Sequence, residues 1–503
     1  MWRRTIKIPS NVQLMFDREI KLVINGLWEA EGVREWKNVS AKNIPGRRRR
    51  RQEQSPHATS STTKSPISNS TNHQSSVYRN LSNFLRQKIS ASPPGELSNR
   101  IQKALQTASD TSASLNNLPA LQLSRSYQYR AQLIEICTEL GILNTPFVRK
   151  ALEDDEKHIS VLLQQTIAAK DFGRKAVLRL QKRDAESFAD ILQMILDKHR
   201  REGPSFWRGA RRLLVKLSEI SGVIPKSLTI YSITLLEKEA IFGGGFADIY
   251  RASYEKLEVA VKRMRVFQRG QDHHKIHRTF CKEALLWRSF RHPHVLPFLG
   301  VDSKTFSPYL CMVSPWMRHG TIMRHLSENE GVDVKKLLRE VAQGLDYLHS
   351  QKVVHGDLRG SNILINEEWQ ACLADFGLAV VSDSTMGSQT SNSHGSVRWM
   401  APELHDPESF GFSRFIRTFA SDIYAFGCVC FEVHTGRAPF ADIVNDSAVM
   451  LQVLRGARPQ RTTPETLRHI SDDVWRLIQH CWRQTPSERL DIRKVVDITE
   501  WWR

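Results

Sequence analysis

Apolar residues recur with a helical period from about residue 126 to 222 and then give way to short alternating runs. Leu133, Ile136, Cys137 and Leu140 stand at i, i+3, i+4 and i+7, one face of a helix that Gly141 would stop. Thr145 and Pro146 make a helix start, with Phe147, Val148, Ala151 and Leu152 on one side. Phe188, Ile191, Leu192 and Ile195 form a third stripe, and Leu213, Leu214 and Leu217 a fourth. Four such helices bury their stripes together as a small bundle, so residues 81–225 are expected to be helical, with the bundle from about 126. A packing or regulatory extension without chemistry accounts for this region. Past Pro225 the runs SLTIYSI, FADIYRASY and LEVAVKRMRV are β-prone, and longer helical patterns follow. Strands first and helices afterwards predict an α+β unit of two lobes over residues 230–500.

Composition sharpens this division. At 503 residues the chain exceeds one compact core. Its net charge of +19 is unevenly spread: residues 1–234 hold 38 basic against 21 acidic side chains, and residues 235–503 hold 34 against 32. The excess lies outside the α+β unit and argues against nucleic acid as its partner. Five arginines, Arg47 to Arg51, open a polar stretch rich in Ser, Thr, Asn, Gln and His. Residues 46–80 are therefore expected to be a disordered linker, and the fold of residues 1–45 is left open. The arginine run fits a nuclear-import signal, an anionic docking patch or a solvated charge run. No apolar stretch approaches membrane-spanning length and no signal peptide is visible, so a cytoplasmic protein is expected. Seven scattered cysteines show no metal spacing and read as buried or free thiols.

Four segments carry candidate chemistry. In IFGGGFADIYRA, Gly243, Gly244 and Gly245 follow Ile241 between two predicted strands, where absent Cβ atoms let backbone amides approach phosphate oxygens. In VAVK, alternation places Val259 and Val261 on one strand face and Ala260 and Lys262 on the other. Glu283, in the helical run FCKEALLWRSF, is placed to hold the Lys262 ammonium and aim it at phosphate. HGDLRGSNILI supplies Asp357 to orient a hydroxyl and, five residues on, Asn362 to bind a metal through its amide oxygen. ADFGLA supplies the Asp375 carboxylate, and Mg²⁺, which takes oxygen ligands and shares them with substrate phosphates, suits the Asn362 and Asp375 pair.

In order and spacing the four segments, with MAPE at 400–403, SDIYAFG at 421–427 and SERL at 487–490, resemble the protein kinase signature. The resemblance covers about residues 235–500. RHPHVLPFLG, GSVRWMAPE and CWRQTPSERL are most similar to the tyrosine-kinase-like group. The run from ARRLLVKLSEISG through GGGFADIYRA resembles kinases of mushroom-forming fungi. The resemblance implies transfer of the ATP γ-phosphate to a hydroxyl of a protein substrate. Lys262 would contact the α- and β-phosphates, Asp357 would orient the acceptor hydroxyl, and Asn362 and Asp375 would hold Mg²⁺. Arg359 would lie near the γ-phosphate. Adenine would sit between Ile249 and Ala260 on one side and Leu364 on the other, with Ser314 at the gatekeeper position and Pro315 and Met317 at the hinge. Phe376, His355, Trp287 and Phe298 map onto an apolar stack between lobes. Glu403 and Arg489 map onto a buried ion pair, and Asp422 onto the anchor of the catalytic loop.

The chain departs from the pattern in two places. Phe242 and Ala247 replace the first and third loop glycines, and Gly356 replaces the arginine that usually pairs with a phosphorylated activation loop. The loop hydroxyls Ser382, Ser384, Thr385, Ser388, Thr390, Ser391 and Ser393 thus lack that reader, so activity is expected not to depend on it. Three functional readings stand side by side: a Ser/Thr kinase, a tyrosine kinase suggested by DLR and RWMAPE, and a pseudokinase scaffold. Gly395 and Ser396 favour the first. The helical region is expected to meet a regulatory partner, to act as a clamp, or to play no regulatory part.

Overall fold

The computed structural model describes residues 83–87, 95, 99, 102–103, 119–168, 172–180, 182–198, 203–243, 247–264, 273–376, 380–381, 396–461 and 468–502. The 1–45 and 46–80 segments, Arg47 to Arg51, Gly244, Gly245 and the activation-loop hydroxyls from Ser382 to Ser393 lie outside them.

The first long helix described in the helical region is α1 (Pro119–Glu139), which ends just before Gly141. Gly141 takes a left-handed φ of +67°, and its N–H donates to the Thr138 carbonyl at 2.9 Å, closing the helix as glycine at this position commonly does. The next helix, α2 (Pro146–Ala168), starts at the expected proline, and the Thr145 carbonyl accepts its first helical hydrogen bond from the Arg149 N–H at 3.1 Å. Phe147 departs from its assigned stripe. It is half-exposed, while Val148 and Ala151 are buried, and its ring stacks at 4.4 Å on Phe84 from the helical stretch 83–87. The short α3 (Phe172–Leu178) had no visible stripe, because seven residues complete only two turns. On α4 (Lys182–Lys198) Phe188, Ile191, Leu192 and Ile195 are all fully buried, and on α5 (Pro204–Ser221) so is Leu217. Both are amphipathic helices that gain their stability by burying one face.

Among the described residues a six-stranded sheet follows: β1 (Thr234–Leu235), β2 (Phe242–Gly243), β3 (Ala247–Tyr254), β4 (Leu257–Met264), β5 (Gly300–Asp302) and β6 (Cys311–Pro315). Its order is β1-β3-β4-β6-β5, with β2 also on β3, and the pairings are antiparallel. The helix α6 (His273–Arg288) lies between β4 and β5 in the chain. Tyr250, Ala252, Val259, Val261, Cys311 and Val313 form a small core on one sheet face. Alternation turns Ile249, Ala260, Lys262, Met312 and Ser314 to the other.

The C-terminal lobe is helical, with α7 (Ile322–Glu328), α8 (Val334–Ser350), α9 (Pro402–His405), α10 (Phe419–Thr435), α11 (Asp446–Leu454), α12 (Asp472–Cys481) and α13 (Ile492–Glu500). Its short strand pairs are β7 (Val353–Val354) with β10 (Val380–Val381), and β8 (Ile363–Ile365) with β9 (Ala371–Leu373). Every residue of α10 from Ser421 to Thr435 is buried, so it forms the central axis of the lobe. The Thr418 side chain accepts from the Ser421 N–H, and the Ser421 hydroxyl oxygen accepts from the Thr418 N–H, so two orphan donors of this buried helix start are satisfied. One continuous buried core runs from α1 through α5 and α6 into this lobe. All seven cysteines are buried and none is in a disulfide. No described helix is long and apolar enough to cross a membrane.

Candidate active site

Lys262 sits on the inner face of β4, directly opposite Ile249 of β3 and Met312 of β6. Its Nζ is 2.8 Å from Glu283 Oε1 of α6 and 2.8 Å from Asp375 Oδ1. Burial by itself lowers the pKa of this ammonium, but the two carboxylates overcome that and raise it above the ordinary lysine value. The lysine is therefore a fixed cation. Asp375 holds a left-handed φ of +62°, uncommon outside glycine, of the kind that clusters at functional sites. The adjacent Ala374 N–H donates to the Asn362 carbonyl at 2.9 Å, which brings the Asp375 segment alongside the Asn362 loop.

Asn362 closes that loop on itself. Its Nδ2 donates to the Asp357 carbonyl at 2.7 Å and to Asp357 Oδ2 at 2.9 Å. Arg359 Nε lies 3.7 Å from the same carboxylate oxygen. Asp422, at the start of α10, anchors the loop from below by accepting from the His355 and Gly356 N–H groups at 2.8 and 2.9 Å and facing His349 Nε2 at 2.9 Å. Gly356 takes a φ of +80°, a conformation an arginine would adopt only with strain.

Two loop contacts come from residues with no periodic or motif signal. Arg417, buried on the approach to α10, donates Nε to the Gly356 carbonyl at 3.0 Å. Burial lowers its pKa, and the neighbouring Asp357 and Asp422 oppose that shift. A cation from 61 residues away thus stands beside the loop at Gly356. Glu432 is a lone carboxylate in the apolar run CVCFEV, and that incongruity was its only trace in the sequence. Its Oε2 accepts from the Gly360 N–H at 2.8 Å and from Trp399 Nε1 at 2.9 Å, joining the catalytic loop to the segment before MAPE.

Burial pushes the Glu432 carboxyl up to about 7. The folded chain therefore holds a proton here that an unfolded carboxyl releases near its ordinary value of 4.5, and this contribution to stability falls as pH rises from about 4.5 to 7. Glu432→Gln keeps an acceptor oxygen and removes the titration. Urea melts of wild type and variant should diverge across that window by on the order of 2 kcal/mol, with the variant flatter. Parallel curves would refute the assignment.

The cleft walls come from both lobes. Ala260 pairs with the buried Ser314, and Val259 with Pro315, at the start of the connector between lobes. In the connector the Trp316 N–H donates to the Glu258 carbonyl, and the Met317 carbonyl accepts from the Gly320 N–H. Leu364 bridges to Thr321. Ile241, Ile249, Ala260, Met317 and Leu364 are all partly exposed, as expected of walls of an open apolar slot. Gly243 pairs with Asp248 in the β2–β3 hairpin. Phe242, at the first-glycine position, is half-exposed and lies 6.4 Å from the Trp316 ring. Behind the cleft, Phe376 stacks near Trp287, Phe290 and His355 at 5.1–5.7 Å, and Trp287 lies 5.4 Å from Phe298. Phe290 is an addition to the stack expected from the sequence.

The Asn362 amide oxygen and the Asp375 carboxylate are hard oxygen donors and fit a magnesium ion that completes its shell with phosphate and water. Among the described residues no cluster of three or more His, Cys, Asp and Glu offers an all-protein metal cage. A β-rich lobe and a helical lobe, a strand lysine tied to a helix glutamate, and a loop Asp–Asn pair below them together define the protein kinase class. The family described as "Protein tyrosine and serine/threonine kinase" matches residues 235–498, and the chain belongs to it. It is 29% identical over 265 residues to the Arabidopsis thaliana serine/threonine/tyrosine-protein kinase HT1, across 51% of this chain and 63% of that relative. It is 28% and 29% identical to the serine/threonine-protein kinases STY46 and STY17 of the same plant, across 51% of this chain and 42% of each relative.

Proposed function

We propose that this chain is an active protein kinase that transfers the ATP γ-phosphate to Ser and Thr hydroxyls of a protein substrate. The observation that carries the reading is Lys262 held between Glu283 and Asp375, beside a loop in which Asn362 braces Asp357. Scaffolding alone requires none of these contacts. We assign residues 230–500 as the catalytic unit, of tyrosine-kinase-like type without the catalytic-loop arginine, and residues 81–225 as its helical extension.

Lys262 binds and orients the α- and β-phosphates. Asp357 orients the acceptor hydroxyl and takes its proton, and Arg359 adds positive charge near the transferring group. Magnesium, when bound at Asn362 and Asp375, neutralises charge on the phosphate oxygens. Ile249, Ala260 and Leu364 form the apolar slot for adenine. Among the connector residues, the Pro315 carbonyl accepts from the ring and the Met317 N–H donates to it.

Ser specificity is supported by Ser396, which is buried one turn ahead of MAPE, where Ser/Thr kinases carry a hydroxyl. The test is to incubate the full chain with magnesium and γ-labelled ATP and to identify the modified amino acids. Phosphoserine and phosphothreonine are expected. Phosphotyrosine alone would overturn the specificity, and no transfer at all would overturn the kinase reading.

A further inference from the structure

The helical region packs on α6 through its last helix, α5. Leu213, Leu214 and Leu217 of α5 and Phe280, Ala284 and Leu285 of α6 belong to one buried core. At the C-terminal end of α5 the approach is closer still. A Cβ on Gly222 would stand 3.3 Å from His277 Nδ1 of α6. Near the other end of α6 one guanidinium bridges two elements: Arg211 Nη1 donates to Ser289 Oγ at 3.3 Å, and Nη2 to the Gln351 carbonyl at 3.0 Å. Ser289 directly follows α6. Gln351 caps α8 and leads through Val353–Val354 into His355, Gly356 and Asp357. On α4, Asp197 lies 3.4 Å from Arg288 and 3.6 Å from Arg291, and Asp190 accepts from the Lys226 N–H at 2.6 Å, pinning the connection to the kinase domain.

We infer that the helical region is a built-in brace for the helix that carries Glu283, with Arg211 as the positioning residue that ties this helix to the entry of the catalytic loop. The inference rests on the kinase reading proposed above. A hydrogen bond of 2.8 Å between Lys262 and Glu283 survives only if α6 stays within a few tenths of an ångström of its place, because such bonds weaken steeply with distance. Arginine suits the task, since its planar fork holds two acceptors in fixed relation where a lysine holds one at a time. The brace also gives the missing catalytic-loop arginine a physical sense. A helix held inward by its own chain does not need a phosphorylated loop read at position 356.

The test uses the full chain carrying Arg211→Ala, Arg211→Lys or Asp197→Lys, with casein as acceptor. Steady-state kinetics are read together with amide exchange over residues 277–288. The brace predicts that Arg211→Ala lowers kcat about tenfold, equivalent to about 1.4 kcal/mol. Helix content should stay unchanged and exchange in α6 should accelerate. Arg211→Lys should recover part of both effects, and Asp197→Lys, which repels Arg288 and Arg291, should act in the same direction. If Arg211→Ala fails to fold, Asp197→Lys carries the test. Wild-type turnover in the folded variants, or lost turnover with unchanged exchange in α6, would overturn the inference. Should the wild type transfer no more phosphate than Asp357→Asn, the kinase reading fails, and the exchange measurement still decides whether the brace exists.

Discussion

Asp357→Asn in the full chain should bind ATP as the wild type does and lose about a hundredfold to ten-thousandfold in kcat. The substitution changes almost no volume. Asparagine keeps a carbonyl oxygen where Asp357 Oδ2 now accepts from Asn362 Nδ2, and its backbone carbonyl still accepts from the same amide. What disappears is the negative charge proposed to turn the acceptor hydroxyl toward phosphorus and to receive its proton. Arg359, 3.7 Å away, loses this ionic contact at the same time. The groups assigned to ATP, namely Lys262 and the connector, are untouched, so the loss belongs in kcat rather than in KM for ATP. Calorimetric ATP titration alongside steady-state kinetics checks both halves. Retained turnover would mean that the carboxylate is not the group that orients the hydroxyl.

Glu403→Ala should cost about 3–5 kcal/mol of folding stability. Both side chains of the Glu403–Arg489 pair are fully shielded from water, and the two guanidinium nitrogens meet the two carboxylate oxygens at 2.6 Å each. The same guanidinium donates to the carbonyls of Ala420, Arg483 and Gln484, which binds the MAPE segment to the start of α10 and to the loop after α12. Removing the carboxylate strands a cation that has no route to solvent. Denaturant unfolding of the full chain measures the effect. A loss near that of an exposed ion pair, below about 1 kcal/mol, would show that the site is hydrated or repacks.

Most of the fold was legible where local periodicity and tertiary burial agree. The alternation in VAVK separated Lys262 from Val259 and Val261, and the sheet keeps that division because one face supplies a small apolar core and the other the cleft. The stripe on α4 was legible for the same reason. Phe147 misled because a large apolar residue beside a true stripe looks like part of it, whereas here Phe84 covers its ring from outside the helix. Within the site, Lys262, Glu283, Asp357, Asn362 and Asp375 stood in recognisable spacing, and the structure brings their side chains and segments together. Arg211 and Arg417 left no trace, and Glu432 only that of a lone carboxylate in an apolar run. Each acts across 61 to 140 residues of chain, and each bonds to a backbone group, which leaves no mark on the composition of its partner.

The shielding of all seven thiols has a practical consequence. Burial raises the pKa of every one, so the reactive thiolate form is scarce at neutral pH and the sulfur is out of reach of reagents. The native protein should tolerate alkylating and mildly oxidising conditions, and any labelling of its cysteines reports molecules that have opened. Cys137 in the helical region, Cys281 on the braced helix and Cys428 on the axial helix would then time the loosening of three separate parts of the chain.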